Sequence, residues 1–143
     1  IILKGRGARD EGLLILPLYY FGGFMETFED LKVWQKSMLV AKSVYELTQQ
    51  FPQRHHYTLG QQLERASISV PSNIAEGYGR NTTADYIRFL SIARGSVNEI
   101  ITQLMLTEMM GINKVDLKPL IEQCYEVRRM LNSMISTLER KIR

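Results

Sequence analysis

The stretch 59–80 reads LGQQLERASISVPSNIAEGYGR, and it decides the fold. Leu59, Leu63, Ala66, Val70 and Ile74 recur at spacings of three and four, which places them on one face of a helix and marks that face for burial. Gln62, Arg65, Ser69, Asn73 and Glu76 follow the same spacing one position out of phase, so a polar row runs beside the apolar one. Thr58 with Gln61 three residues on predicts a capping box at the start of this helix. Gly77 and Gly79 predict a left-handed residue that closes it, followed by the polar connection Arg80-Asn81-Thr82-Thr83. Pro71 falls inside, where it removes the hydrogen bond to the Ser67 carbonyl and bends the axis.

Working outward, a helix is predicted over about 28–50, opened by Thr27 with Asp30 and stopped by Pro52. It carries two adjacent stripes: Leu31, Trp34, Met38, Ala41, Tyr45 and Thr48, and Val33, Val40, Val44, Leu47 and Phe51. Together they are broad enough to meet two neighbouring helices. Trp34 reads as core. Gln53-Arg54-His55-His56-Tyr57 reads as a surface loop. Adjacent histidines rarely face one metal ion, and the chain has no third. Arg54, His55 and Tyr57 remain candidates for contact with a phosphate or a base.

A third helix is predicted over about 84–110, from Thr83 and Asp85 to Gly111. Its apolar face holds Phe89, Leu90, Ala93, Val97, Ile100, Ile101, Leu104 and Met105. Gly95 in its interior costs about 1 kcal/mol against alanine, so a close approach by another backbone is expected there. The connection after Tyr78 is short and forces this helix to run back along the preceding one. That register sets Arg65 opposite Glu99, Gln62 near Gln103 and Ser69 near Ser96. The expected result is a semi-buried network of Gln62, Arg65, Ser69, Asn73, Glu76, Ser96, Glu99 and Gln103, with Arg65 and Glu99 as its charged pair. A fourth helix follows Asn113 or Asp116, with Pro119 in its first turn favouring Asp116 as cap. Leu117, Ile121, Cys124, Val127, Leu131, Met134, Leu138 and Ile142 form its bundle seam. The seven methionines read mostly as core filler. The fold class is therefore all-α, an antiparallel up-down-up-down four-helix bundle.

With 143 residues the chain has room for one core. Hydrophobic residues at 45% and charged residues at 23% are ordinary for a globular protein and suggest neither a disordered nor a membrane class. A single cysteine excludes an intrachain disulfide and fits a reducing cytoplasm. Residues 1–24 differ from the rest: LLILPLYYFGGF is apolar but broken by Pro17 and the Gly22-Gly23 pair, and it lacks the cleavage site of a signal peptide. The domain boundary is set at Met25. The preceding residues read either as non-native upstream sequence or as a hydrophobic arm, with a short strand through 13–21.

Three segments, FEDLKVWQKS at 28–37, ERASISVPSNIAEGYGR at 64–80 and YIRFLSIARGSVNEIITQL at 86–104, resemble in their order the four-helix-bundle proteins encoded in intervening sequences of bacterial 23S rRNA genes. Accessory proteins of diversity-generating retroelements are similar to the same family. The resemblance implies a small homo-oligomer, a pentamer where such proteins are best understood. In the retroelement branch it implies nucleic acid and a reverse transcriptase as partners. The polar network coincides with the family's motif residues and is expected to serve architecture or assembly.

Catalytic and cofactor chemistry finds no support in the residues. A di-iron bundle needs Glu-x-x-His pairs, which Glu76 and Glu99 lack. Cys124 lies in an apolar stripe, and no glycine-rich phosphate loop follows a strand. No catalytic, metal or cofactor residue is assigned. Net charge is +3, concentrated toward the C-terminus. The candidate nucleic-acid contacts are Arg128, Arg129, Arg140, Lys141 and Arg143, with Arg80, Arg88 and Arg94 second. Two functions are expected: an RNA- or DNA-binding accessory protein, or a scaffold that recruits a partner enzyme such as a reverse transcriptase.

Overall fold

The structure, a computed structural model, describes residues 27–142 and, before them, the backbone of Ile2–Leu3 and Leu14–Ile15. Those two dipeptides pair antiparallel, Ile2 with Ile15 and Leu3 with Leu14. The remainder of the expected arm lies outside the described residues. The architecture is all-α. Four long helices carry it: α1, Lys32–Thr48; α2, Gln61–Tyr78; α3, Thr83–Met109; and α4, Lys118–Lys141. The contacting pairs are α1 with α2, α2 with α3, α3 with α4, and α4 with α1, which closes a ring around one core.

The core is the set of stripes the periodicity singles out. Val33, Val40, Val44 and Leu47 of α1 and Leu63, Ala66, Val70 and Ile74 of α2 are buried in it. Leu90, Ala93, Val97, Ile100 and Leu104 of α3 and Ile121, Cys124, Val127 and Leu131 of α4 complete the same cluster. Each fully buried aliphatic side chain contributes about 1.5–3 kcal/mol over an exposed one. The broader face expected of α1 is narrower in fact. Tyr45 is 57% exposed and Met38 40%, while Trp34 is half-buried, edge-on to Phe28 with ring centroids 5.4 Å apart. The methionines are also more exposed than expected: Met38, Met105, Met109 and Met110 lie at the surface.

Helix starts differ from expectation at two places. Thr27 and Asp30 do close a turn, with the Thr27 amide donating to Asp30 Oδ2 at 3.2 Å, but the turn is a 3-10 helix over Phe28–Asp30. Leu31 is then extended (ψ 118°), and α1 begins only at Lys32. The expected loop 53–57 is helical instead. Pro52 is extended (ψ 141°), Gln53–His55 forms an α-turn, and His56–Gly60 forms a π-turn that leads directly into α2. Thr58 is therefore no cap, and its hydroxyl donates back to the Arg54 and His55 carbonyls at 3.3 Å. A π-turn inserts one residue into the helix and resets its phase. The polar composition of QRHHY conceals this.

Helix ends follow their chemistry more closely. Thr82 Oγ1 accepts the Asp85 amide at 3.1 Å and opens α3. Gly111, at φ 60°, closes it, with the Gly111 amide donating to the Glu108 carbonyl and the Ile112 amide to the Thr107 carbonyl. Asp116 Oδ1 accepts the Lys118 amide at 3.0 Å, and Leu117 takes the cap position itself. The glycine pair after α2 behaves otherwise. Gly79 is the C-cap at φ −81°, so neither it nor Gly77 is left-handed. Gly77 lies inside α2 for a steric reason: a Cβ there would stand 2.8 Å from Phe89 Cβ and 3.0 Å from Tyr86 Cδ2. At Gly95 the expected close approach is missing among the described residues, none of which comes within 4 Å of the space a Cβ would take.

Candidate nucleic-acid interface

Two seams decide which polar residues meet. Between α2 and α3 the register is the one the short connection predicts. Ser69 Oγ lies 2.9 Å from Ser96 Oγ, and Gly77 meets Phe89 and Tyr86. Asn73 Nδ2 donates to Ser69 Oγ at 2.9 Å and to the Ser69 carbonyl at 2.8 Å. The polar network therefore exists as a small uncharged cluster of Ser69, Asn73 and Ser96.

Its charged pair does not form. Arg65 and Glu99 are both exposed and share no ion pair. Register brings residues to the same height, but helical phase decides whether they face one another. Phe89, Ser96 and Gln103 line the α3 side of the seam at intervals of seven. Arg65 is four residues from Ser69 and Glu99 three from Ser96, about 40° and 60° off the seam line, which leaves both on its rim and exposed to water. Water then solvates both charges without the desolvation penalty of a buried pair. Gln62 is exposed and outside the cluster. Gln103 Oε1 is buried without a hydrogen-bond partner among the described residues. Glu76 turns away to pair with Arg80, whose guanidinium also lies 4.4 Å above the Phe89 ring.

The seam between α3 and α4 carries a pattern that periodicity alone does not show. Arg94 Nη1 donates to Asn132 Oδ1 at 3.1 Å, and Arg128 Nη1 donates to Asn98 Oδ1 at 3.1 Å. The two bridges are reciprocal: each helix gives one arginine and one asparagine, four residues apart. The signal in the sequence is an Arg-x-x-x-Asn spacing on both helices, Arg94 with Asn98 and Arg128 with Asn132. Arg128 is held further by the Tyr125 ring, 4.7 Å from its guanidinium carbon.

The other candidate cations divide by what holds them. Arg129 is paired with Glu122 at 3.0 Å, as Arg80 is with Glu76, so their charges are largely offset. Arg140 donates to the Ser136 carbonyl and to Thr137 Oγ1, both at 3.3 Å. Lys141 and Arg88 are exposed, Arg88 on the outer side of α3 away from Arg94. Arg143 lies outside the described residues. Arg94, Arg128 and Arg140 are thus the candidates held by neutral acceptors, and of the three Arg94 and Arg128 are the ones whose bonds bridge two helices.

Residues 29–133 match the family of 23S rRNA-intervening sequence proteins. The chain belongs to that family. The 23S rRNA-intervening sequence protein match spans α1, α2, α3 and most of α4, including both arginine–asparagine bridges. No curated protein matches the chain. Among the described residues of this 23S rRNA-intervening sequence protein, no group of three or more His, Cys, Asp or Glu could hold a metal ion, and no helix is long and apolar enough to cross a membrane. Arg54, His55 and Tyr57 sit in the helical turns before α2, with Arg54 Nε donating to His55 Nε2 at 2.9 Å. His56 Nδ1 lies 3.1 Å from the Thr48 carbonyl oxygen, which ties the π-turn to the end of α1.

Proposed function

We propose that the protein is a non-enzymatic, cytoplasmic, homo-oligomeric bundle that binds RNA or DNA through phosphates along the α3–α4 seam. Its four helices run up-down-up-down and antiparallel. The contacts Ser69 with Ser96 and Gly77 with Phe89 support this for α2 and α3, because rising numbers meet falling ones. Arg94 with Asn132 and Arg128 with Asn98 support it for α3 and α4 in the same way.

The observation that carries the binding reading is the chemistry of the two bridges. A carboxylate acceptor would fix an arginine and cancel its charge. An asparagine amide fixes the side chain and leaves the charge intact. Arg94 and Arg128 are therefore ordered before a ligand arrives, with guanidinium donors still free for phosphate oxygens. Four residues of helix span about 6 Å, so the seam repeats its charge over a short distance. An oligomer multiplies that modest site by avidity. The family's association with rRNA genes makes structured RNA the first ligand to try.

The test is a salt titration of binding to structured RNA and to duplex DNA. Log affinity should fall linearly with log salt, with little dependence on sequence. Arg94→Gln and Arg128→Gln should each weaken binding uniformly and flatten the slope, whereas Arg129→Gln should do less because Glu122 already offsets that charge. A protein that ignores both nucleic acids at low salt refutes the reading. It would favour the second one, a scaffold that presents exposed side chains to a partner enzyme such as a reverse transcriptase. Met109, 82% exposed, and Met110, 59% exposed, at the end of α3 are what favour that alternative.

A further inference from the structure

Helix α4 sets an aromatic ring beside the cations of its seam with α3. Tyr125, Arg128 and Asn132 are spaced by three and four residues and so share one face of the helix. The Tyr125 ring centroid lies 4.7 Å from the Arg128 guanidinium carbon, and Arg128 in turn donates to Asn98 of α3. Tyr125 is half-buried: it packs against the core yet keeps part of its surface in water. The carboxylates on either side of it in α4 are both ion-paired, Glu122 with Arg129 at 3.0 Å and Glu126 with Lys36 at 2.9 Å. Neither adds an unpaired negative charge beside the ring to repel a polyanion.

We propose that Tyr125 is a stacking platform for an unpaired base, which makes the ligand of the α3–α4 seam a single-stranded segment of RNA. The inference rests on the phosphate-binding reading above and adds a second kind of contact to it. Arginines alone take phosphates from a duplex or a single strand alike. A partly open ring beside them is used only when a base is free to leave its stack, because paired bases show a protein their edges and not their faces. Tyr125 stands three residues, about 4.5 Å, along α4 from Arg128. Arg94, bonded to Asn132, lies one further turn along, about 6 Å. A strand laid along the seam thus meets Tyr125, Arg128 and Arg94 in that order, with a base on the ring and the neighbouring phosphates on the two guanidinium groups. Stacking accepts any base, so the loops of structured RNA qualify whatever their sequence.

The experiment measures binding of the full chain, at one low salt concentration, to three probes of equal phosphate count: an oligouridylate, a duplex RNA, and an abasic oligomer that keeps the backbone without bases. The wild-type chain should bind oligouridylate more tightly than the abasic oligomer. Tyr125→Leu should weaken oligouridylate binding about fivefold or more, the loss of one base stack, while leaving the other two probes and the slope of log affinity against log salt unchanged. Tyr125→Phe keeps the ring and should bind as the wild type does. Tyr125→Trp gives a readout that needs no weakened variant: oligouridylate should quench its fluorescence over the Trp34 background, and the abasic oligomer should not. An equal loss for all three probes in Tyr125→Leu shows that the ring only orients Arg128 and overturns the stacking proposal. Equal wild-type affinity for oligouridylate and the abasic oligomer overturns it too. A wild-type chain that binds none of the probes refutes the phosphate-binding reading itself, and stacking falls with it.

Discussion

Gly77, in the last turn of α2, and Gly95, in the middle of α3, stand in opposite surroundings, one packed and one open. At Gly77 the neighbouring helix occupies the position of a side chain, so Gly77→Ala forces Phe89 or Tyr86 to move. Overpacking costs about 1–3 kcal/mol, partly offset by the better helix propensity of alanine. A net loss of about 1–2 kcal/mol in denaturant unfolding is expected, and a neutral result would show that the two rings yield freely. Arg65 and Glu99 give a second check at this scale. Both are exposed and apart, so a double-alanine cycle on dilute protein should return a coupling near zero, where a buried pair would return several kcal/mol. Cys124 behaves as core, its thiol pushed up to about 12 by burial from an ordinary 9.0. The folded state holds the proton more tightly than the unfolded one. Stability from this group is therefore complete below about pH 9 and is lost progressively as pH rises toward 12. Thiol-reactive reagent at about pH 8 should modify Cys124 only when denaturant is added.

The helices show which information a sequence carries openly. Repeats of three and four identify the buried side of α2, α3 and α4, because burial of an amphipathic stripe decides those positions whatever their neighbours do. Start points depend on one or two residues, and there local rules compete. Thr58 and Gln61 match a capping box, yet Pro52 is extended and the chain is already helical from Gln53, entering α2 through a π-turn. Glu64 shows the same limit across elements. It accepts a hydrogen bond from the buried Thr48 of α1, a contact invisible until the phase shift of the π-turn is known. Where cap chemistry and tertiary packing agree, as around α3, the sequence predicts the element to within one residue: Gly111 closes it as expected, and the cap is Thr82 where Thr83 is expected. Thr82→Ala should cost about 1 kcal/mol by exposing the first amides of α3, and equilibrium unfolding measures it directly.

Across the molecule, the α3–α4 seam matters because it separates two roles that arginines usually combine. An arginine bound by a carboxylate stabilises a fold and adds no net charge to the surface. One bound by an amide joins two helices and keeps its charge for a ligand. The sequence displays both asparagines, but nothing in spacing alone ties Asn98 to α4 or Asn132 to α3 until the helices are packed. The distinction can be tested with near-isosteric substitutions. Asn98→Asp and Asn132→Asp retain the acceptor geometry at 3.1 Å and replace a neutral partner with a charged one. The charge-assisted bonds should leave the fold as stable as before or slightly more so. If the seam binds phosphate, the same substitutions should weaken RNA binding, and each phosphate released from an arginine should lower the slope of log affinity against log salt by about 0.7–0.9. Unchanged binding in a folded Asn98→Asp/Asn132→Asp protein would remove the α3–α4 seam as the interface, since two added carboxylates on a phosphate-binding surface cannot be silent.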